Sequence, residues 1–227
     1  MITVLFDIDG TILNCNNASR ASLIQATKEV FGTIGRMERV DFQGKTDPVI
    51  LKESLEIMGF SRTEIDEKSD LLKQHYFAHL SQNIRKYEVI LFPGIIEILE
   101  ALTSRENVVL GLLTGNFYES ARIKLESHGL NRFFEFGAFG DDATMRNMLP
   151  AIARQRISEI YSIDIDFSNT FIIGDTVYDI RCARYAGAVS VAVGTGWGNM
   201  ETLLNEKPDH FFEDLGDTGR FLKLLDI

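Results

Sequence analysis

The sequence predicts an α/β protein: a three-layer core on a parallel sheet, with an α-helical domain inserted after the first strand. Three observations carry this expectation. The apolar runs are short and partly β-branched, as in strands buried on both faces. In the second half of the chain these runs alternate with helical patterns, which implies right-handed crossovers between parallel strands. Residues 15 to 88 break the alternation, with helical patterns and almost no strand signal.

In chain order, ITVLF (2–6) is the first strand, ended by Asp7. The insertion follows as ASRASLIQATKEVFG, DPVILKESLEIMG and SRTEIDEKSDLLKQHYFAHLSQNI, and FPG (92–94) marks the return to the core. The expected division is 1–14 plus 89–227 for the core and 15–88 for the cap, with short hinges near 14–17 and 88–93. Further strands are expected at 107–114, 134–139, 170–175 and 188–194. Between them, a helix over 118–129 ends at Gly129, which suits a C-cap, and a helix over 150–161 opens on Pro150, which suits its first position.

At 227 residues and 45% hydrophobic content the chain can bury a full core. A formal charge of −10 argues against nucleic acid or an anionic membrane as partner. A small anionic substrate stays open, because a local cation can reverse the field in a cleft. Cys15 and Cys182 are too few for a disulfide framework and point to a reducing, cytoplasmic setting. The first apolar run breaks at Asp7, so neither a signal peptide nor a membrane span is expected. Monomer and homodimer both remain open.

Two features read as ordinary. Cys15 lies near an aspartate pair but has no His partner close in sequence, so it reads as a small packing residue. His75 and His79 are four apart on a helix, a spacing that could bind metal, but no further ligand is visible in the sequence. They read as packing or surface histidines.

The chemistry concentrates at strand ends. FDIDGT (6–11) puts Asp7 and Asp9 two positions apart after a buried strand, both addressing one site, with Gly10 allowing a sharp turn. Paired carboxylates resist desolvation and repel each other, so a cation is the first candidate to offset the cost. IIGDTVYD (172–179) ends another strand on Asp175, with Asp179 four residues on. Thr176 and Asp179 also suit a helix-start capping box. Two strand ends with several carboxylates make a hard-oxygen site, suited to Mg²⁺ rather than zinc. LLTGN (112–116) ends a third strand on Thr114, Gly115 and Asn116, where a hydroxyl and free N–H groups suit a phosphate.

In this order, DIDGT, Thr114, GDTVYD and the helical insertion resemble the haloacid dehalogenase superfamily of phosphohydrolases, over the whole chain. The resemblance implies a Rossmann-like core and the following roles. Asp7 is the nucleophile that becomes an aspartyl phosphate. Asp9 is general acid and then base, and its backbone carbonyl binds Mg²⁺. Thr114 holds a phosphate oxygen, Asp175 is a direct metal ligand, and Asp179 supports the metal site. The family's third motif is usually a lysine; the matching place here reads MRNMLP, which assigns the role to Arg146, with another cation such as Lys124 as the alternative.

Within the family, Asp9 favours a phosphate-ester enzyme, and the cap resembles those of phosphoglycolate phosphatase and β-phosphoglucomutase. FQGKTDPVI (42–50) resembles the specificity loop of such caps, with Lys45 and Thr46 placed to reach the leaving group. The expected activity is Mg²⁺-dependent hydrolysis of a small phosphorylated metabolite, such as phosphoglycolate or a sugar phosphate. The alternatives are a β-phosphoglucomutase-like phosphotransferase and a non-catalytic phosphate-binding regulator.

Overall fold

The structure, a computed structural model, describes residues 1–226. It opens with β1 (Ile2–Phe6) and the short β2 (Leu13–Asn14). The helices α1 (Ala18–Phe31), α2 (Asp47–Glu56), α3 (Arg62–Glu67) and α4 (Ser69–Asn83) come next, followed by β3 (Ile90–Leu91). The remainder alternates: α5 (Ile95–Thr103), β4 (Val108–Leu113), α6 (Tyr118–Glu126), β5 (Gly137–Ala138), α7 (Leu149–Tyr161), β6 (Thr170–Gly174), α8 (Val177–Ala186), β7 (Val189–Val193), α9 (Met200–Asn205), β8 (His210–Phe212) and α10 (Thr218–Leu224).

Six strands form one parallel sheet in the order β5-β4-β1-β6-β7-β8. The period-2 alternation of each strand fills two cores, one on each face. Val4, Phe6, Leu112, Ile173 and Val193 face one side, where they pack with Ile98 and Leu102 of α5, Leu125 of α6 and Phe221 of α10. Leu5, Val109, Leu113 and Ile172 face the other, against Ala153 and Ile157 of α7 and Ala183 of α8. Both faces being covered explains why these strands read as continuous apolar runs.

Four strands, β1, β4, β6 and β7, lie near their expected positions, while the run at 134–139 contributes only Gly137 and Ala138. That segment is the sheet edge and pairs on one side alone, with Leu112 and Leu113. The opposite edge, β8, carries no apolar run and was not expected; it pairs His210–Phe212 with Val191–Val193.

The chain leaves the sheet toward α1 and returns toward α5 through β2 and β3, which pair antiparallel: Leu13 opposite Leu91, Asn14 opposite Ile90. Phe92 N–H donates to the Ile12 carbonyl at 3.1 Å and the Asn16 amide donates to the Glu88 carbonyl at 2.9 Å. Asn16 and Asn17 then adopt left-handed φ of 44° and 70°, a conformation asparagine tolerates, and turn the chain into α1. No helix among the described residues is long and apolar enough to cross a membrane.

Candidate active site

Adjacent parallel strands end on the same side, so β4, β1 and β6 deliver Thr114, Asp7 and Asp175 to one crevice beyond their carboxyl ends. Asp7 extends the β1 ladder by one bond, its N–H donating to the Ile173 carbonyl at 2.9 Å, and this fixes its direction. Asp7, Asp175 and Asp179 are all buried, and one carboxylate oxygen from each lies within 4.8 Å of the others. Burial pushes the Asp7 carboxyl up to about 6, against the pull of Arg146, and Asp179 adds to the rise. Asp175 is raised well above its ordinary range by burial, then by Asp179 and Asp7. Glycines frame this cluster closely. A Cβ on Gly10 (φ 83°) would lie 2.3 Å from an Asp175 oxygen, and one on Gly196 would lie 1.8 Å from it.

Arg146, at the turn before α7, is buried against this cluster. Its Nη2 lies 3.2 Å from an Asp7 oxygen and also pairs with Asp179. Burial would lower its basicity, but Asp179 and Asp7 outweigh that and hold it above its ordinary value. One guanidinium against three carboxylates leaves the pocket net negative, and its Nε has no hydrogen-bond partner. A closed set of oxygen donors with excess negative charge fits a hard divalent cation, and Mg²⁺ is the one these residues suit. Asp179 serves the structure in two ways. It completes the capping box of α8, accepting from Thr176 N–H at 3.0 Å and Oγ1 at 2.6 Å, and it anchors Arg146.

Asp9 stands apart from that trio. Its carboxylate accepts from Lys124 Nζ at 2.5 Å and from Asn116 Nδ2 at 2.9 Å. Asn116 also donates to Thr114 Oγ1 at 2.7 Å, and its carbonyl oxygen takes a bond from Lys124. The crevice therefore holds two cations with separate partners: Arg146 on Asp7 and Asp179, Lys124 on Asp9. Burial would lower the Lys124 pKa, but the charge of Asp9 opposes that first, and the net shift is upward. In the sequence Lys124 is only an alternative to Arg146; the fold gives each cation its own carboxylate. The available signal was its place three after Ala121 and one before Leu125, on the buried face of α6.

The roof comes from the segment before α2. A cavity of about 470 Å³ is lined below by Asp7, Asp9, Thr114 and Arg146 and above by Arg20, Lys45 and neighbours. Hydrogen bonds to the main chain latch the roof down. Asp47 N–H donates to the Gly115 carbonyl at 2.8 Å, Phe117 N–H donates to Asp47 Oδ2 at 2.8 Å, and Arg146 Nη1 donates to the Gly44 carbonyl at 3.3 Å. The approach requires glycine at 115, where a Cβ would lie 2.2 Å from the Lys45 carbonyl oxygen. Lys45 faces the cavity but pairs with Glu53 at 2.6 Å. Thr46 does not line the cavity: its hydroxyl donates to the Thr144 carbonyl at 2.9 Å, so it fastens the loop. Cys15 and Cys182 are buried, and burial pushes both thiols up to about 12, which leaves them unreactive.

Asp47 was not singled out by the sequence, and it gives the latch a pH signature. Burial pushes its carboxyl up to about 6, with Lys124 opposing. The unfolded chain loses this proton near pH 4, so the contribution is fully present below that and lost as pH rises through 6, a cost of about 3 kcal/mol at neutral pH. Asp47→Asn keeps an acceptor for Phe117. Urea denaturation should find the variant more stable than the parent at pH 7.5 and no more stable at pH 4. An equal difference at both values would refute the assignment.

A family model described as haloacid dehalogenase-like hydrolase matches residues 4–193. A pyrophosphatase PpaX of Oceanobacillus iheyensis is 26% identical, over 95% of this chain and 94% of its own. A phosphoglycolate phosphatase of Agrobacterium fabrum is 26% identical, over 92% and 87%. Among solved structures, a hydrolase from Pseudomonas syringae superposes with a TM-score of 0.72 at 21% identity, over 99% of both chains. With a family match that runs from β1 to the end of β7 and relatives aligned almost end to end, the chain belongs to the haloacid dehalogenase-like hydrolases and, within them, to the phosphatases.

Proposed function

We propose that this phosphatase hydrolyses a small phosphate monoester, phosphoglycolate-like or a sugar phosphate, through an aspartyl phosphate on Asp7 with Mg²⁺ as cofactor. The observation that carries the reading is the setting of Asp7: a buried carboxylate at a cavity floor, 3.2 Å from a guanidinium and beside two further carboxylates. Residues 1–14 with 89–227 act as the chemical core, and residues 15–88 act as the cap that reads the leaving group. The chain works in the cytoplasm as a monomer or homodimer, on a metabolite rather than on nucleic acid or membrane.

Asp7 and Asp175, the Asp9 carbonyl and, at the periphery, Asp179 would hold the Mg²⁺, which when bound screens the repulsion between a phosphate dianion and the attacking carboxylate. Asp7 attacks phosphorus from below, and its direction is fixed by the β1 ladder. Asp9 gives a proton to the departing alkoxide and later takes one from the water that hydrolyses the acyl phosphate. Asn116 and Lys124 hold Asp9 in one orientation between the two steps. Thr114 Oγ1 and the backbone N–H groups around Gly115 and Asn116 receive the phosphoryl oxygens, and Arg146 counters their charge through donors that include its unpartnered Nε.

The test is phosphate release with Mg²⁺ from a panel: phosphoglycolate, sugar phosphates, nucleoside monophosphates, pyrophosphate and an aryl phosphate. Turnover of one small monoester well above the rest is expected. A preference for pyrophosphate would move the substrate class, and no turnover of any member would overturn the reading.

Arg146→Ala should lower kcat by on the order of 10²-fold or more, since it removes charge that opposes phosphoryl charge in the transition state. It also leaves Asp7 and Asp179 buried without their cation, so thermal melting must be read alongside. Arg146→Lys should recover part of the rate. An unchanged Arg146→Ala enzyme would transfer the role to Lys124.

Lys45→Ala separates recognition from folding. In this structure Glu53 neutralises Lys45, so a substrate carboxylate must compete for it. The variant should lose about thirtyfold in kcat/KM on phosphoglycolate, equivalent to ~2 kcal/mol, and little on an uncharged aryl phosphate. Equal losses on both would make Lys45 a structural residue.

A further inference from the structure

Away from the cavity, α1 and α4 pack against each other along their lengths. Near the end of α1, Glu29 reaches across to α4, where His75 and His79 stand one turn apart on the facing side. Glu29 Oε2 lies 2.6 Å from His75 Nδ1 and 2.8 Å from His79 Nε2. Gln25, one turn earlier on α1, reaches the other oxygen of Glu29 at 3.4 Å and leaves Oε2 to the two rings. Hydrogen bonds from His79 and His75 hold the Glu29 carboxyl down to about 2, so it is an anion at any working pH.

Two imidazole nitrogens and one carboxylate oxygen converge within 4.8 Å of one another. A hydrogen-bonded pair needs only one ring. Here two rings, one through Nδ1 and the other through Nε2, aim at the same oxygen. Bonds of 2.0–2.2 Å to a tetrahedral ion place ligand atoms roughly 3.3 Å apart, a small opening from the present contacts that side-chain rotation supplies. The donor set is wrong for Mg²⁺ or Ca²⁺, which take oxygens, and right for zinc and its neighbours. The side chains are 40%, 17% and 38% exposed for His75, His79 and Glu29, so an ion can reach them and keep water in its open position.

We propose that Glu29, His75 and His79 form a binding site for a divalent transition ion of the Zn²⁺ class on the cap surface, separate from the acidic cluster of the core. The ion fastens α1 to α4. Both helices also build cavity wall: Ser19, Arg20 and Leu23 come from α1, and Tyr76, next to His75, comes from α4. Binding therefore stiffens the wall that faces the leaving group without touching the reacting atoms.

The test uses the full chain in saturating Mg²⁺, which occupies the acidic cluster, titrated with Zn²⁺ by calorimetry. One tight Zn²⁺ per chain is expected, weakened about 100-fold in His75→Ala/His79→Ala and substantially in Glu29→Gln. At a hundredfold excess over the parent's Kd, Zn²⁺ should raise the parent Tm by about 5 °C and the double variant by no more than about 1 °C. Co²⁺ in place of Zn²⁺ should give visible absorption bands that disappear in the double variant. His79→Gln, which keeps the helix and the side-chain bulk, provides the same comparison if the double variant does not fold. Parent and variants binding Zn²⁺ equally, or the parent showing no site, would overturn the proposal. Neither result bears on hydrolysis with Mg²⁺.

Discussion

Asp7→Asn should reduce turnover to a trace while the protein keeps its fold. The amide is nearly isosteric with the carboxylate but cannot attack phosphorus, so the covalent route closes. The packing argues that stability will not fall. Asp7 is buried among carboxylates and its own carboxyl is pushed up to about 6, so a neutral side chain relieves repulsion there. The measurements are single-turnover phosphate release and thermal melting on the same preparation. Activity above a trace would remove Asp7 from the nucleophile's role. Lost activity with a lowered Tm would point to unfolding instead.

Removing divalent ions should be as severe and, unlike the substitution, reversible. Asp7, Asp175 and Asp179 crowd one buried pocket, and Arg146 offsets only part of their charge. A phosphate dianion brought to that pocket meets net repulsion. With a chelator the rate should fall to background, and added Mg²⁺ should restore it. Ca²⁺ should restore little, because it takes more ligands at longer distances and would misplace the attacking oxygen. Full activity in metal-free protein would refute the assignment of the acidic cluster. Because Glu29, His75 and His79 prefer a different ion, Mg²⁺ alone should suffice for the rescue.

The parts of the site legible in the sequence are those fixed by local pattern. A buried strand that stops on a polar residue places that residue at the sheet's end wherever the strand lies, so Asp7, Thr114 and Asp175 converge as their strand ends suggest. Arg146 was legible through its position before the Pro-led helix. What stayed hidden depends on how helices rotate and dock. Lys124 reaches Asp9 across 115 positions of sequence because α6 turns its buried face to the crevice. Glu29 meets His75 across 46 positions because α1 lies on α4. Asp47 gains its partners only when the loop closes over Gly115 and Phe117. The sheet edges were blurred because an edge strand is paired on one side: β8 needs no continuous apolar run, and the apolar run at 134–139 joins the ladder only through Gly137 and Ala138.

The pairing of β2 with β3 has a consequence for how such an enzyme diversifies. Leu13 and Leu91 sit opposite each other, so the two strands that carry the chain out to the cap and back are neighbours in one short ribbon. Cutting there leaves two ends a single tight turn apart, so a segment whose own termini lie equally close, and whose loop can make the same bonds to Gly115, Phe117 and Thr144, can be spliced in. On the proposed division, residues 15–88 would behave as a cassette. A chimera that takes this segment from a relative should keep the reaction of its host and adopt the substrate range of its donor, so chemistry and selectivity can be inherited separately.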